Sequence, residues 1–194
     1  AVVPLCLGIG VAAGLWHGLL ISKLDLQPFI VTLCSLFLFR GITRLITGDQ
    51  SQGFAGAYPG LRWFGNGFIG GTIAVPFVIL ILLAIVIGAY LHFSPAGRHL
   101  FALGANEEGA RFSGIRTDRL KITAYVLCSL ITACGGLLLA FKVNSLGPSD
   151  FGSFFELYAI AGAVLGGCSL RGGSGNVIGV LIGASLLNVL RNLV

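Results

Sequence analysis

Side chains that could bind a metal ion are few in this chain and lie far apart. The five cysteines sit within or beside apolar stretches and include no CxxC pair: Cys6, Cys34, Cys128, Cys134 and Cys168. The three histidines are equally scattered: His17, His92 and His99. A metal site would need clustered Cys or His ligands, and a disulfide framework would place its cysteines in outer loops. The sequence therefore predicts no metal site and cysteines that serve as small packing residues.

Ser174 is the residue whose neighbours most resemble an enzyme motif. The run Gly172 to Gly175 satisfies the GxSG pattern of intramembrane serine proteases of the rhomboid type, in which a histidine on a later span activates the serine. No histidine follows Ser174 in this chain. The protease is therefore an alternative that lacks its base, and labelling of Ser174 by a fluorophosphonate probe would distinguish it. We predict no catalytic residue.

A nucleotide site is also missing from the sequence. The chain contains no GxxxxGK[ST] segment, the glycine-rich loop that cradles the phosphates of ATP in many ATPases. We therefore expect no cofactor on this chain. If its work consumes ATP, a partner subunit must hold the nucleotide.

Composition and charge place the chain in a membrane. Apolar residues make up 56% of the 194 residues and charged residues 10%, against about 25% in an ordinary globular domain. Runs of about 20 apolar residues can cross a hydrocarbon core of ~30 Å. We predict an all-α, polytopic transmembrane helix bundle with about six segments: Val2–Ile21, Phe29–Ile46, Thr72–Phe93, Ile122–Phe141, Leu157–Leu170 and Asn176–Leu190. With only fourteen residues, Leu157–Leu170 is short for a crossing and is predicted to be tilted, broken or re-entrant.

Most of the charge falls in one loop, Ser94 to Lys121, which holds eight of the nineteen charged residues. Its bases are Arg98, Arg111, Arg116, Arg119 and Lys121, whereas Gly48 to Gly71 contains only Arg62. Loops rich in Lys and Arg stay on the cytoplasmic side of a membrane. The bases are dispersed and have no aromatic interleaving, so nucleic acid is not an expected partner. The loop is predicted to be cytoplasmic.

A short helix is predicted inside this loop, from Glu107 to Ser113. Asn106 can cap its first turn, where Glu107 and Glu108 meet the positive end of the helix dipole, and Gly114 can end it. Two turns of helix are marginal in water. The helix is therefore expected to need a partner surface on which to dock.

Glycines repeat every four residues in three of the segments. The series are Gly10, Gly14 and Gly18, then Gly162 and Gly166, then Gly175, Gly179 and Gly183. Glycines at this spacing share one face of a helix and allow two backbones to approach closely in a bilayer. We interpret these faces as helix contacts, which in a transporter could also slide.

The chain resembles the permease subunits of ATP-binding-cassette importers for ribose and other monosaccharides, in the branched-chain/ribose permease superfamily. The resemblance covers nearly the whole chain. It rests on QPFIVTL (Gln27–Leu33), the pair Arg40–Gly41, GRHLFALGANEEGARFSGI (Gly97–Ile115), FELYAIAGAVLGGCSLRGGSG (Phe155–Gly175) and the tail NVIGVLIGASLLNVLRN.

That resemblance implies a permease subunit of the bacterial inner membrane that imports a monosaccharide, ribose-like, and performs no reaction itself. Its implied partners are two cytoplasmic ATPase subunits that hold the ATP, a second permease copy and an external sugar-binding protein. The loop would carry the coupling helix that contacts the ATPase through Gly97, Arg98, Asn106, Glu107, Glu108, Arg111, Ser113 and Gly114. Members of the family are longer, so residues 1–194 are expected to be one permease domain incomplete at both ends.

Polar positions inside the segments are candidates for the sugar passage: Thr32, Ser35, Arg40, Asn144 and Ser169. A charge within a span costs roughly 2.5 to 3.5 kcal/mol on insertion scales. Arg40 is therefore expected to face protein or water, either as an ion pair with Glu156 or by reaching the interface. Glu156 itself is predicted to cap the fifth segment.

A transporter driven by an ion gradient is the third alternative. Such proteins often bury carboxylates or lysines for coupling to the ion. The predicted spans carry neither at a mid-membrane position. This argues for an ATP-driven mechanism, and uptake that survives collapse of the proton gradient would separate the two.

Overall fold

The computed structural model describes residues 2–53, 59–143, 145–148 and 151–193, without the side chains of residues 59–62. Nine helices fall in these ranges: α1 (Val2–Lys23), α2 (Pro28–Thr47), α3 (Pro59–Asn66), α4 (Val75–Phe93), α5 (Pro95–Ala105), α6 (Glu107–Phe112), α7 (Thr117–Val143), α8 (Phe155–Leu165) and α9 (Val177–Leu193). Four two-residue strands accompany them: β1 (Gln52–Gly53), β2 (Phe68–Ile69), β3 (Ile73–Ala74) and β4 (Ser145–Leu146). The predicted all-α class is confirmed.

Four helices are long and apolar enough to cross a membrane: α1, α2, α4 and α7. They correspond to the first four predicted segments. With eleven residues, α8 is ~16 Å long, and with seventeen α9 is ~25 Å. The fifth segment is thus shorter as a helix than predicted, because the chain turns after Leu165 instead of continuing to Leu170.

The described residues form two compact units. The first contains residues 1–79 and 121–151, and the second contains residues 80–120 and 152–194. The prediction of a single permease domain stays a prediction.

In the first unit, the glycine face of α1 packs directly on α7. A Cβ atom at Gly14 would lie 2.7 Å from the Cα atom of Val126, and one at Gly18 would lie 2.8 Å from that of Ile122. At Gly10 a Cβ atom would lie 2.7 Å from the Cβ atom of Ala133. Only glycine permits this approach at each position. The predicted contact face is confirmed for this series.

The described part of residues 48–71, the stretch between the second and third predicted spans, carries structure that the sequence did not indicate. Gly65 of α3 packs on the backbone of Phe141 and Lys142 at the end of α7. The Asn66 side-chain amide donates to the Phe141 carbonyl at 3.4 Å. Strand β1 also pairs antiparallel with β4, Gln52 opposite Leu146. These contacts fasten α3 to the end of α7, and strand β1 before α3 to strand β4 after α7.

In the second unit, α8 and α9 form a hairpin whose two arms pack against each other at glycine residues. A Cβ atom at Gly162 would lie 3.3 Å from the Cα atom of Ala184, and one at Gly183 would lie 2.6 Å from the Gly166 nitrogen. A Cβ atom at Gly179 would likewise collide with the Gly166 carbonyl oxygen. The facing series on the two helices are confirmed as contacts.

Two predictions about this hairpin are wrong. Gly175 is not part of the α9 face, because it lies in the turn before the helix, where a Cβ atom would be 2.9 Å from the Cys168 sulfur. Glu156 does not cap α8. Phe154 occupies the cap position with a φ of 64° and no side-chain hydrogen bond, and Glu156 lies in the first turn, where its charge favours the helix dipole.

Candidate functional site

The predicted short helix is present in the charged loop as α6, and its first turn is capped by a side chain. Asn106 has an extended backbone, φ −156° and ψ 105°, and its Oδ1 accepts the Gly109 N–H at 2.9 Å. Glu107 and Glu108 occupy the first turn. The cap and the two carboxylates both act on the positive end of the helix.

A Schellman motif ends α6 at Gly114. Gly114 has a φ of 80°, its N–H donates to the Arg111 carbonyl at 3.0 Å, and the Ile115 N–H donates to the Ala110 carbonyl at 3.2 Å. The Ser113 hydroxyl also donates to the Gly109 carbonyl, at 2.9 Å. This arrangement satisfies carbonyls that a helix end leaves without partners. A six-residue helix is therefore held by hydrogen bonds at both ends.

The two faces of α6 differ sharply in exposure. Ala110 is 5% exposed, whereas Phe112 is 90% exposed. Residues two apart lie roughly 200° apart around a helix. Phe112 therefore points away from the side on which Ala110 is buried, and exposed Glu108 and Arg111 flank it. The sequence analysis missed Phe112, although a bulky aromatic residue within a charged segment was a visible signal.

Helix α5 fills the stretch between the span α4 and α6, which the sequence predicts to be part of a loop. Ser94 caps it by accepting the Gly97 N–H at 3.0 Å, and Pro95 occupies its first turn. Gly97 is buried, because a Cβ atom there would collide with the Leu91 carbonyl. Arg98 is exposed. The structure thus puts Gly97 at the corner between α4 and α5 and the other candidates from Asn106 to Gly114 on and around α6.

The candidates for a passage lie in different surroundings. On α2, Ser35 is 6% exposed and Arg40 is half-buried, whereas the exposed Thr32 hydroxyl already donates to the Pro28 carbonyl at 3.0 Å. Ser169 lies in the turn after α8, where its Oγ accepts the Arg171 N–H at 3.2 Å. Asn144 lies outside the described residues. The assignment of these five positions to a passage stays a prediction.

A groove of about 540 Å³ opens in the first unit between α1, α2 and α7. Its walls are mostly apolar, as with Ile9, Phe39 and Ile42. Two of its hydroxyls are already engaged, because Thr43 donates to the Phe39 carbonyl and Thr132 to the Cys128 carbonyl, both at 2.8 Å. The groove therefore suits an apolar group better than a sugar, which needs several hydrogen-bond partners.

Ser174 belongs to a backbone turn. Its carbonyl accepts the Ser169 N–H at 3.1 Å, and the two preceding residues, Gly172 and Gly173, have φ values of 89° and 78°. The GxSG pattern around Ser174 is therefore explained by the geometry of this turn. Over the part of the chain that the structure describes, no group of three or more His, Cys, Asp or Glu side chains is placed to hold a metal ion.

Comparison with known proteins identifies the family. The family model described as "Branched-chain amino acid transport system / permease component" matches residues 1–194. The chain belongs to this permease family. Together with the four long apolar helices, membership makes the chain part of a multi-pass membrane protein.

Relatives of this permease chain include sugar importers. The ribose import permease protein RbsC of Bacillus subtilis is 39% identical over 176 residues, 91% of this chain and 54% of that protein. RbsC of Escherichia coli K12 is 38% identical over 194 residues, 98% of this chain and 59% of its own length. The fructose import permease protein FruF of Bifidobacterium longum is 34% identical over 192 residues, 97% of this chain and 53% of FruF.

The permease chain thus spans little more than half the length of these curated relatives. No solved structure matches it.

Proposed function

We propose that the full-length protein is the membrane subunit of an ATP-driven importer that moves a monosaccharide into the cytoplasm, and that α6 is the helix on which the ATPase docks. The observation that carries the proposal is a six-residue helix, capped at both ends and displaying a 90% exposed aromatic ring, in a chain that matches a permease family throughout. Relatives named for the import of ribose and of fructose support a sugar as cargo.

In this mechanism the energy comes from a partner. Closure of two ATPase subunits around ATP on the cytoplasmic side pushes α6, and the permease converts from an outward-open to an inward-open state. A second permease copy completes the passage, and an external binding protein delivers the sugar. The chain itself performs no reaction and holds no cofactor. The membrane is the bacterial inner membrane, because ATP is available on its cytoplasmic side.

No observation favours the two alternatives. The Gly172–Gly173–Ser174 run is accounted for as a turn, and the relatives reported above are import permeases with no protease among them. The predicted spans offer no mid-membrane carboxylate or lysine for coupling to an ion gradient.

Uptake measurements test the proposed function. Cells that lack their own ribose and fructose importers receive the full-length protein with its ATPase and binding protein, and entry of radiolabelled D-ribose and D-fructose is followed. We expect uptake of at least one sugar, lost when arsenate depletes ATP and retained when a protonophore collapses the proton gradient. Uptake that disappears with the protonophore while ATP stays high would instead indicate a gradient-driven transporter.

Phe112 is predicted to be an anchor of the docking contact. A few anchor residues, often aromatic, commonly supply a large share of binding energy once a partner covers them. Phe112→Ala should weaken association of the purified ATPase with the full-length permease by about tenfold. The matched control is Phe93→Ala, because Phe93 is 85% exposed but lies at the end of α4, outside α6. Equal losses for the two variants, measured by titration of labelled ATPase, would contradict docking through α6.

A further inference from the structure

The end of α5 and the turn between α8 and α9 meet backbone to backbone. A Cβ atom at Gly104 would collide with the Gly173 nitrogen and lie 3.1 Å from its Cα atom. From the other side, a Cβ atom at Gly172 would lie 2.9 Å from the Gly104 carbonyl oxygen, and one at Gly173 would lie 2.8 Å from the Cα atom of Ala105. No side chain separates the two segments at this point.

The turn that makes this contact is held in shape by its own hydrogen bonds. The Ser169 N–H donates to the Ser174 carbonyl at 3.1 Å, and the Gly172 N–H donates to the Ser169 carbonyl at 3.0 Å. Positive φ values at Gly172 and Gly173 favour glycine at both positions. The turn therefore meets α5 as a closed, internally bonded loop.

On the other side of the contact, α6 begins almost at once. Ala105 is the last residue of α5, and the next residue, Asn106, is the cap of α6. The Asn106 N–H donates to the Ala102 carbonyl at 3.0 Å, so the cap is bonded to α5 as well as to α6. Only Asn106 thus separates Ala105, which contacts the turn, from Glu107, the first residue of the candidate docking helix.

We propose that Gly104, Gly172 and Gly173 form a backbone joint that passes movement of α6 to the α8–α9 hairpin. The inference rests on the proposed function and names the α8–α9 hairpin as the element that the docking helix moves. Side chains between two segments can change rotamer and absorb a displacement, whereas backbone in direct contact has no such freedom. Because α8 and α9 also meet through glycine, the turn and the hairpin respond together. The three glycines are positioning residues, since they act by passing movement from α6 to the α8–α9 hairpin.

The joint predicts uncoupling without loss of docking. In Gly104→Ala the new methyl group must push the turn away from α5, while α6 and its caps are unchanged. The full transporter, reconstituted in liposomes, should bind its ATPase and hydrolyse ATP as the wild type does, with sugar uptake per ATP hydrolysed lower by about tenfold. Gly88→Ala is the matched control, because a Cβ atom there meets only Val177, at 3.9 Å. Uptake per ATP at the wild-type level in a Gly104→Ala protein would overturn the joint.

A second measurement needs no variant and covers the case in which Gly104→Ala does not fold. Hydrogen exchange of the wild-type transporter is compared with and without a trapped ATP analogue. The joint predicts that amides of residues 169–174 change exchange together with those of α6. Changes confined to α6 would overturn the joint while leaving docking intact. Failure of the wild-type permease to bind any ATPase would contradict the proposed function instead.

Discussion

Gly14→Val is expected to prevent the full-length permease from accumulating in folded form. The Cβ atom of the new side chain would lie 2.7 Å from the Cα atom of Val126 and 2.9 Å from the Tyr125 carbonyl oxygen. Backbone atoms cannot rotate aside, so α1 and α7 must separate, and the contacts at Gly10 and Gly18 weaken with them. Overpacking of this kind costs about 3 kcal/mol or more when the neighbours cannot yield. Thermal midpoint and monodisperse yield in detergent measure the loss.

Gly8→Val is the matched control on the same helix. A Cβ atom at Gly8 has nothing within 4 Å, so the same side chain should be accommodated with a change of less than about 1 kcal/mol. Both variants add the same apolar group to α1 and leave the insertion of the span into the membrane equally favourable. Equal stability of the two variants would show that α1 does not pack on α7 through its glycine face.

Features controlled by neighbouring residues were predictable from the sequence. The start of α6 and its end before Gly114 followed from Asn106, the two glutamates and Gly114, because capping acts over three or four residues. The helix ends at Phe112, one residue before the predicted Ser113. The face formed by Gly10, Gly14 and Gly18 followed from its spacing, although the identity of the facing helix did not. The apolar lengths of α1, α2, α4 and α7 indicated membrane spans for the same local reason.

Helix α5 was missed although its signals were local. Ser94 followed by Pro95 is a typical helix start, and the structure uses both residues in that way. The density of charge in this segment favours a solvated loop, which conflicts with the helix-start signal of Ser94 and Pro95. Gly175 was misassigned for the opposite reason, since its spacing from Gly179 continues a pattern that the helix itself does not reach.

Contacts between distant parts of the chain had no sequence signal. Asn66 donates to a carbonyl 75 residues away, and β1 pairs with β4 across a similar separation. The joint between Gly104 and the Gly172–Gly173 turn is of the same kind. Glycines at these positions indicated turns or close approach, but a single sequence does not say which backbone approaches which. Such pairings depend on how the spans assemble, beyond the reach of local propensity.

Gly114→Val is expected to remove ATPase binding from a permease that still folds and inserts. Gly114 ends α6 with a φ of 80°, and an L-residue in this region costs roughly 1 to 2 kcal/mol, more for a β-branched side chain. A six-residue helix has little stability of its own. The last turn of α6, which carries Phe112, therefore unwinds to relieve the strain. It then loses the hydrogen bonds that the Gly114 and Ile115 N–H groups donate. Co-purification of the ATPase should fall by about 100-fold.

Gly114→Asn separates backbone strain from the loss of glycine as such. Asparagine adopts the left-handed region far more readily than valine, so the Schellman end of α6 should persist and most ATPase binding with it. A Cβ atom at residue 114 has nothing within 4 Å, so neither variant clashes with the rest of the permease. The two variants should therefore match in thermal midpoint and differ in ATPase binding. If valine at residue 114 left ATPase binding intact, the shape of α6 would be irrelevant to docking, and the ATPase would have to contact another part of the protein.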